Sequence, residues 1–237
     1  LGAAGRTQDG AGAAAALGQV RPARWTAGPA RLGMRFRAEW VFVGLLLIAP
    51  FLLFHDVLGA YWRADDPAIL LHAVSSPGLS AFYDPLEWRK LSPSNLTPWL
   101  TLSFKLDHRL AGATPGFFYA HQLVACAAVA VAAYALARTW SPPWLAFLGV
   151  VLFLSGASTA SVVELLMTRH YLEGLLFSLL ACLGFLRAIK LGQSRWAVAG
   201  ALAYALAATA KELYVPLVVV LLAVPKGTWR ARVFMAL

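Results

Sequence analysis

The chain has 237 residues, of which 60% are hydrophobic and only 13% are charged. Soluble domains are typically about 45–50% apolar and about 25% charged. This composition excludes a disordered chain, a disulfide scaffold and an ordinary cytosolic enzyme, and it predicts a polytopic membrane protein. The net charge of +9 would favour a nucleic-acid partner in a soluble protein. In a membrane protein it indicates basic cytoplasmic loops, and no nucleic-acid partner is expected.

Residues 1–36 are rich in Ala, Gly, Arg and Pro and show no apolar period. This segment is predicted to be a disordered basic cytoplasmic arm. Residues 37–237 are predicted to form an all-α, polytopic transmembrane helical bundle. A helix needs about 20 apolar residues to cross about 30 Å of hydrocarbon. On that criterion about six spans are expected, at residues 40–59, 116–137, 143–161, 171–189, 196–210 and 213–225.

The segment 60–114 is too highly charged to cross a membrane, yet Leu, Trp and Phe recur through it. This pattern predicts a long first outer loop that contains short amphipathic helices at the membrane interface.

The distribution of charge predicts the orientation of the chain. With the N-terminus in the cytoplasm, the inner segments hold 13 basic and two acidic residues. The outer segments and outer helix ends hold 7 basic and 9 acidic residues. Because cytoplasmic loops carry an excess of Lys and Arg, we expect a multi-pass protein of the cell inner membrane. Its functional site is expected on the periplasmic face.

Several charged groups are expected at or near this outer membrane surface: Asp65 and Asp66, Glu164, Arg169 and His170, Glu173, and Lys211 and Glu212. Each group has a purely structural explanation. Arg169 and Glu173 are four residues apart on a helix and can pair. Asp65-Asp66-Pro67 can form a turn or a helix N-cap. Together, the groups favour a polar cavity that opens outward, because charge at membrane depth usually faces a partner or water.

An ordered set of short motifs runs through residues 38–225. Its parts are Tyr-Trp-Arg-Ala-Asp-Asp-Pro at 61–67, Thr-Pro-Trp-Leu-Thr-Leu-Ser-Phe-Lys-Leu-Asp at 97–107, Gly-Ala-Thr-Pro-Gly-Phe-Phe-Tyr at 112–119, Arg169 at the start of a long span, and Lys-Glu-Leu-Tyr-Val-Pro at 211–216. In order and spacing they resemble the GT-C class of membrane glycosyltransferases. The closest resemblance is to the protein O-mannosyltransferase-like families, including members with tetratricopeptide repeats.

The chain departs from the family pattern at several positions. The family's His and Asn early in the second span fall on Tyr119 and Gln122, and Glu164 does not align with the family's common Glu. The family usually has about twice as many spans as the six expected here. By this resemblance, the chain is expected to be the N-terminal membrane part of a longer protein.

The resemblance implies an inverting glycosyltransferase. It would move a sugar such as mannose from a polyprenyl-phosphate donor to a protein or lipid hydroxyl on the non-cytoplasmic face. Asp65 would be the base, with Asp66 as its support or as the alternative base, since repulsion between adjacent carboxylates raises the pKa of one of them. No cofactor is expected, and a divalent metal at this pair is the less favoured alternative.

The same resemblance assigns cations to the leaving lipid phosphate, because its negative charge must be stabilised. The candidates are Arg169, His170 and Lys211, with Glu212 orienting Lys211. Glu164, Tyr119 and Gln122 are further candidates for the site. Membrane lipids are expected partners.

Two other classes of function remain open. In a transporter, Asp65, Glu164, Glu173 and Lys211 would line a path, although the sequence shows no internal repeat between residues 40–140 and 140–230. In a non-catalytic multi-pass membrane subunit, the acidic pair would be dispensable.

Overall fold

The computed structural model describes residues 29–91 and 97–223, and every regular element in those ranges is helical. The all-α prediction is therefore confirmed for this part of the chain. The ten α-helices in it are α1 (Pro29–Leu53), α2 (Asp66–Ser75), α3 (Pro85–Leu91), α4 (Pro98–Ala111), α5 (Pro115–Ala137), α6 (Pro143–Leu154), α7 (Ala157–Glu164), α8 (Arg169–Leu191), α9 (Ser194–Ala210) and α10 (Leu217–Ala223).

Helix α1 begins inside the segment predicted to be a disordered arm, so residues 29–36 are helical. Pro29 stands at the first helical position, where proline is favoured because its missing N–H would have had no partner. Residues 1–28 of the predicted arm, and the end of the sixth predicted span, lie outside the described residues.

Two of the described helical segments are long and apolar enough to cross a membrane: α5, and Leu166–Leu191, which is α8 with the short turn before it. A third span results if α6 and α7 are counted together, although they are bent by 57° at Ser155–Gly156. The described chain thus has two to three candidate spans, where the sequence predicted six. The apolar part of α1, Glu39–Leu53, is short, and α9 has 17 residues.

Helix boundaries follow the local sequence. Proline occupies the first turn of α4, α5 and α6, where its fixed φ suits helix initiation. Helix α8 ends at Gly192, whose φ of +65° is the left-handed conformation common at helix C-termini.

Helices α8 and α9 form a close hairpin. A Cβ atom on Gly184 would lie only 2.9 Å from the Cα atom of Gly200, so the two backbones touch at this point. Small residues permit such backbone contact between membrane helices, where van der Waals packing drives association.

The segment 60–114 contains the short helices α2, α3 and α4, as its sequence pattern predicts. Helix α4 is amphipathic: it buries Leu100, Ser103, Phe104 and Asp107 on one face and exposes Leu110 on another. This face packs against α5, α8 and α9.

Polar contacts connect the short helices of this segment. Glu87 on α3 accepts a 3.2 Å hydrogen bond from Ser76, at the end of α2, and it pairs with Lys90. The hydrogen bond from Lys90 holds the pKa of Glu87 below its usual value. Lys105 on α4 donates to the carbonyls of Ser76 and Gly78. The three helices are thereby connected to one another.

Helix α5 lies at the centre of the core and is fixed at its C-terminal end by an ion pair. Phe118, Leu123 and Cys126 on this helix are fully buried. Arg138 follows α5 and binds Glu39 of α1, with 2.6 Å between Nη2 and Oε1.

Candidate functional site

Three segments that are far apart in sequence meet at the N-terminal end of α8. Met167 donates its backbone N–H to the Asp66 carboxylate at 2.7 Å, and Arg63 Nη1 lies 3.4 Å from the Glu164 carbonyl oxygen. The Tyr214 hydroxyl donates to the Tyr171 carbonyl at 2.6 Å. The structure therefore brings together the charged segments around residues 65, 169 and 211.

The two carboxylates of the acidic pair have different environments. Asp66 is fully buried, and its two oxygens accept backbone N–H groups from Arg63 (3.0 Å) and Met167 (2.7 Å). Burial raises the pKa of Asp66, and these hydrogen bonds oppose the rise. Asp65 is exposed. The residue before it, Ala64, has a φ of +45°, a conformation that costs a non-glycine residue free energy and often occurs at functional sites.

A cleft of about 380 Å³ opens beside Asp65. Its polar lining consists of Asp65, Thr97 and His170, and its apolar lining is Ala68, Ile69, Leu91, Leu100 and Met167. His170 is only 9% exposed, and neither of its ring nitrogens has a hydrogen-bond partner among the described residues. A buried polar group without a partner is unusual in a folded protein.

Arg169 lies in the interior and not on the cleft. Its side chain is fully buried, and its Nη1 atom is 2.5 Å from Asp107 Oδ2. Its other donors bind the Gln122 side chain (3.1 Å) and the Phe118 carbonyl (2.7 Å). The guanidinium also lies 4.8 Å from the Phe104 ring centroid. All three nitrogens are engaged inside the protein, so the structure does not favour the predicted role of Arg169 in binding a lipid phosphate.

The i,i+4 spacing also suggested the wrong partner for Arg169. The arginine pairs with Asp107 of α4, whereas Glu173 accepts a 2.7 Å hydrogen bond from Ser103. His121 lies against both carboxylates, with Nδ1 at 2.8 Å from Asp107 and Nε2 at 3.6 Å from Glu173. We call Ser103, Asp107, His121, Arg169 and Glu173 the charged cluster.

Ser103, Asp107 and His121 of the charged cluster were not identified as site residues from the sequence. Ser103 and Asp107 are four residues apart in the motif at 97–107, which indicates a shared helix face. That four-residue spacing is the sequence feature from which Ser103 and Asp107 could have been identified. His121 had no comparable signal, because its two partners are 14 and 52 positions away in the chain.

Tyr119 and Gln122 brace the loop that follows α7. The Tyr119 hydroxyl lies 3.3 Å from the Glu164 carbonyl and 3.4 Å from the Tyr61 carbonyl. Gln122 donates to the Val162 carbonyl at 2.6 Å. The side chain of Glu164 itself is exposed. Tyr119 and Gln122 therefore hold the backbone of Val162 and Glu164, which precedes the cleft residues on α8.

Lys211 and Glu212 form an ion pair beside the start of α8. Lys211 Nζ lies 3.0 Å from Glu212 Oε1 and 5.9 Å from the Tyr171 ring centroid. The Tyr171 ring is in turn 4.3 Å from the His170 ring. That Glu212 orients Lys211 toward a ligand stays a prediction.

A second, apolar cleft of about 140 Å³ lies on the other side of the first turn of α8. Its lining includes Phe153, Val162, Tyr171, Leu172 and Leu175. Tyr214 also lines it and packs directly on α8, since a Cβ on Gly174 would fall 2.2 Å from Tyr214 Cε2. Among the described residues, no group of three or more His, Cys, Asp or Glu side chains is arranged to hold a metal ion.

Replacement of Asp66 by Asn is expected to destabilise the fold by about 1–3 kcal/mol, because one of the two backbone N–H groups loses its acceptor in a buried position. Chemical unfolding of the detergent-solubilised protein measures this difference. The matched control is Asp65→Asn, which is exposed and is expected to change the free energy of unfolding by less than about 0.5 kcal/mol. Equal effects of the two substitutions would contradict the different environments described above.

A scan against protein-family models gave no match, and neither did a search of curated proteins or a search of solved structures. The function is therefore inferred from the residues and geometry of the site.

Proposed function

We propose that this protein is a membrane glycosyltransferase of the GT-C type. It transfers a sugar from a polyprenyl-phosphate donor to a hydroxyl group of a protein or lipid on the non-cytoplasmic face. The observation that carries the proposal is the cleft that the exposed Asp65 and the buried His170 both line, where the His170 ring nitrogens have no hydrogen-bond partner among the described residues. This volume is within the usual range of ligand pockets, about 300–1,000 Å³.

In the proposed reaction Asp65 is the general base. The acceptor hydroxyl gives its proton to the Asp65 carboxylate as its oxygen forms a bond to the anomeric carbon. The bond between that carbon and the phosphate oxygen breaks, and its electron pair leaves with the lipid phosphate. A single displacement of this kind inverts the anomeric centre. Asp66 supports the base through the backbone, since its carboxylate holds the Arg63 and Met167 amides.

His170 and Lys211 are the proposed contacts of the leaving phosphate. The His170 ring and the Lys211 ammonium both lie close to the Tyr171 ring, and Glu212 pairs with the ammonium. Preorganised donors and cations at a developing negative charge lower the barrier of the reaction. The apolar cleft that Tyr171 also lines supports the isoprenoid part of the donor.

The proposal includes a topology. Six spans, the N-terminus in the cytoplasm and the site on the periplasmic face of an inner membrane account best for the distribution of charge. The two to three long apolar helices support the membrane location only. The Glu39–Arg138 ion pair would then lie at the cytoplasmic end of α5.

The test is a transfer assay with this chain, expressed with any natural extension, in inverted and right-side-out membrane vesicles. Polyprenyl-phosphate carrying radiolabelled mannose or glucose is supplied, and label in protein and in lipid is counted. We expect transfer with inversion at the anomeric centre. Absence of transfer from either donor, together with donor-independent uptake of solute, would favour a transporter. Absence of both would favour a non-catalytic subunit.

A further inference from the structure

The connection between α8 and α9 carries positive charge without nearby negative charge. Arg187 and Lys190 lie in the last two turns of α8, Arg195 lies in the first turn of α9, and all three side chains are exposed. The sequence has no Asp or Glu between Glu173, in the first turns of α8, and Glu212. The three cations are therefore not neutralised within the hairpin. We call Arg187, Lys190 and Arg195 the basic hairpin end.

Trp196 holds the two arginines of the basic hairpin end on one aromatic side chain. Arg187 Cζ lies 4.7 Å from the centre of the Trp196 ring, and Arg195 Cζ lies 5.8 Å from it. A guanidinium group on an aromatic ring is stabilised by a cation–π interaction, and its N–H groups can still bind phosphate oxygens. Arg195 donates only its Nε to Gln193, at 3.0 Å. The two guanidinium groups are thus positioned together before a ligand binds.

Exposed apolar side chains continue from these cations toward the middle of both helices. On α9, Arg195, Val198 and Leu202 are spaced three and four residues apart, which puts them on one helix face. Val198 and Leu202 are 56% and 63% exposed. On α8, Leu180 is seven residues before Arg187, on the same face, and is 43% exposed. Cations at one end of an exposed apolar surface match a molecule that has an anionic headgroup and hydrocarbon chains.

We propose that the basic hairpin end binds the phosphate of an anionic phospholipid. Arg187 and Arg195 contact the phosphate oxygens, Lys190 supplies a further positive charge, and the acyl chains lie along the exposed faces of α8 and α9. Basic groups at the ends of membrane helices bind such headgroups because the lipid charge is not otherwise compensated. A zwitterionic lipid carries its own cation, which the three basic side chains repel.

The basic hairpin end is separate from the cleft. Arg187 is 17 residues after His170 on α8, a distance of about 25 Å at the helical rise of 1.5 Å per residue. The lipid site is therefore independent of the proposed transfer reaction, and it can be tested without a sugar donor.

Fluorescence anisotropy of tail-labelled phosphatidylglycerol, titrated with the full chain in a non-ionic detergent, tests the site. We expect saturable binding that is at least about fivefold tighter than that of phosphatidylcholine with the same label. The double variant Arg187→Gln/Arg195→Gln should bind phosphatidylglycerol about 25-fold more weakly, since each basic side chain near an anionic lipid contributes about fivefold. Equal affinity of the wild-type chain for the two lipids would overturn the proposal.

The matched control is Arg89→Gln/Arg109→Gln, which removes the same net charge at exposed arginines of α3 and α4. Its affinity for phosphatidylglycerol should stay within about twofold of the wild-type value. Equal weakening in both double variants would show general charge attraction and would contradict a localised site. If Arg187→Gln/Arg195→Gln does not fold, Arg195→Gln alone carries the test, with an expected loss of about fivefold.

A further variant, Lys211→Met, distinguishes the basic hairpin end from the cleft. We expect it to bind phosphatidylglycerol like the wild-type chain. Loss of binding in Lys211→Met, with normal binding in the hairpin variants, would place the lipid in the cleft and overturn the proposal. Because no sugar transfer is measured, either result leaves the proposed transfer reaction untouched.

Discussion

Replacement of Asp65 by Asn is expected to slow sugar transfer by about 10²–10⁴-fold, because that is the usual contribution of a positioned general base. Asparagine has nearly the same size as aspartate, so the cleft keeps its shape, but the amide cannot take the proton of the acceptor hydroxyl. The exposed position of Asp65 makes a large change in folding stability unexpected. The measurement is the initial rate of transfer from a radiolabelled polyprenyl-phosphate sugar, normalised to the amount of folded protein.

The matched control for this experiment is Asp56→Asn. Asp56 is another carboxylate near the same end of the bundle, with a side chain that is 92% exposed and pairs only with the neighbouring His55 in the described structure. Its replacement should leave the rate unchanged within about twofold, in line with the small effects of most surface substitutions. If transfer survives Asp65→Asn at the wild-type rate, Asp65 is not the base.

Removal of either partner of the Arg169–Asp107 pair is expected to destabilise the fold by about 3–5 kcal/mol, because the remaining charge stays buried without its closest counter-charge. The side chains are 0% and 4% exposed, so solvent cannot replace the missing partner. The single variants Arg169→Met and Asp107→Leu remove one charge each. The double variant removes both and is expected to be more stable than either single variant.

Unfolding of the wild-type protein, the two single variants and the double variant in mixed detergent micelles gives the free energies for a double-mutant cycle. A coupling of several kcal/mol is the expected result. The control pair is Lys211→Met and Glu212→Leu, since the Glu212 side chain is 44% exposed and partly exposed ion pairs contribute at most about 1 kcal/mol. Additive effects at Arg169 and Asp107 would show that the two charges act independently.

Much of the fold could be predicted from local sequence. Proline at the start of α4, α5 and α6 and glycine after α8 indicate where helices begin and end. The apolar length of α5 identifies it as a span without reference to any other segment. The number of spans was predicted less well, because the apolar part of α1 and helix α9 fall short of a full span and helices α6 and α7 meet at a bend.

The candidate site was predictable as a set of residues but not as a set of contacts. The charge pattern located the segments around Asp65, His170 and Lys211 on one face, and the structure brings them together. The charge pattern could not show that Arg169 pairs with Asp107, 62 positions earlier in the chain. That pairing results from the packing of α4 on α8, which no local pattern encodes. For the same reason, the sequence does not show that Asp66 is buried against the Met167 amide while Asp65 is exposed.

The contact between Gly184 and Gly200 has a consequence for how a substrate enters. We expect two helices that touch through their backbones to move together, because no side chain at this contact can change its rotamer to let one helix slide. This pair carries His170 at the first turn of α8 and Lys211 directly after α9, so the spacing of the two proposed phosphate contacts is constant. Access to the cleft must then be controlled by the opposite wall, where the short helices α2 to α4 lie. In the proposed reaction, the sugar donor would bind to a fixed pair of contacts, and the helices α2 to α4 would move to admit it.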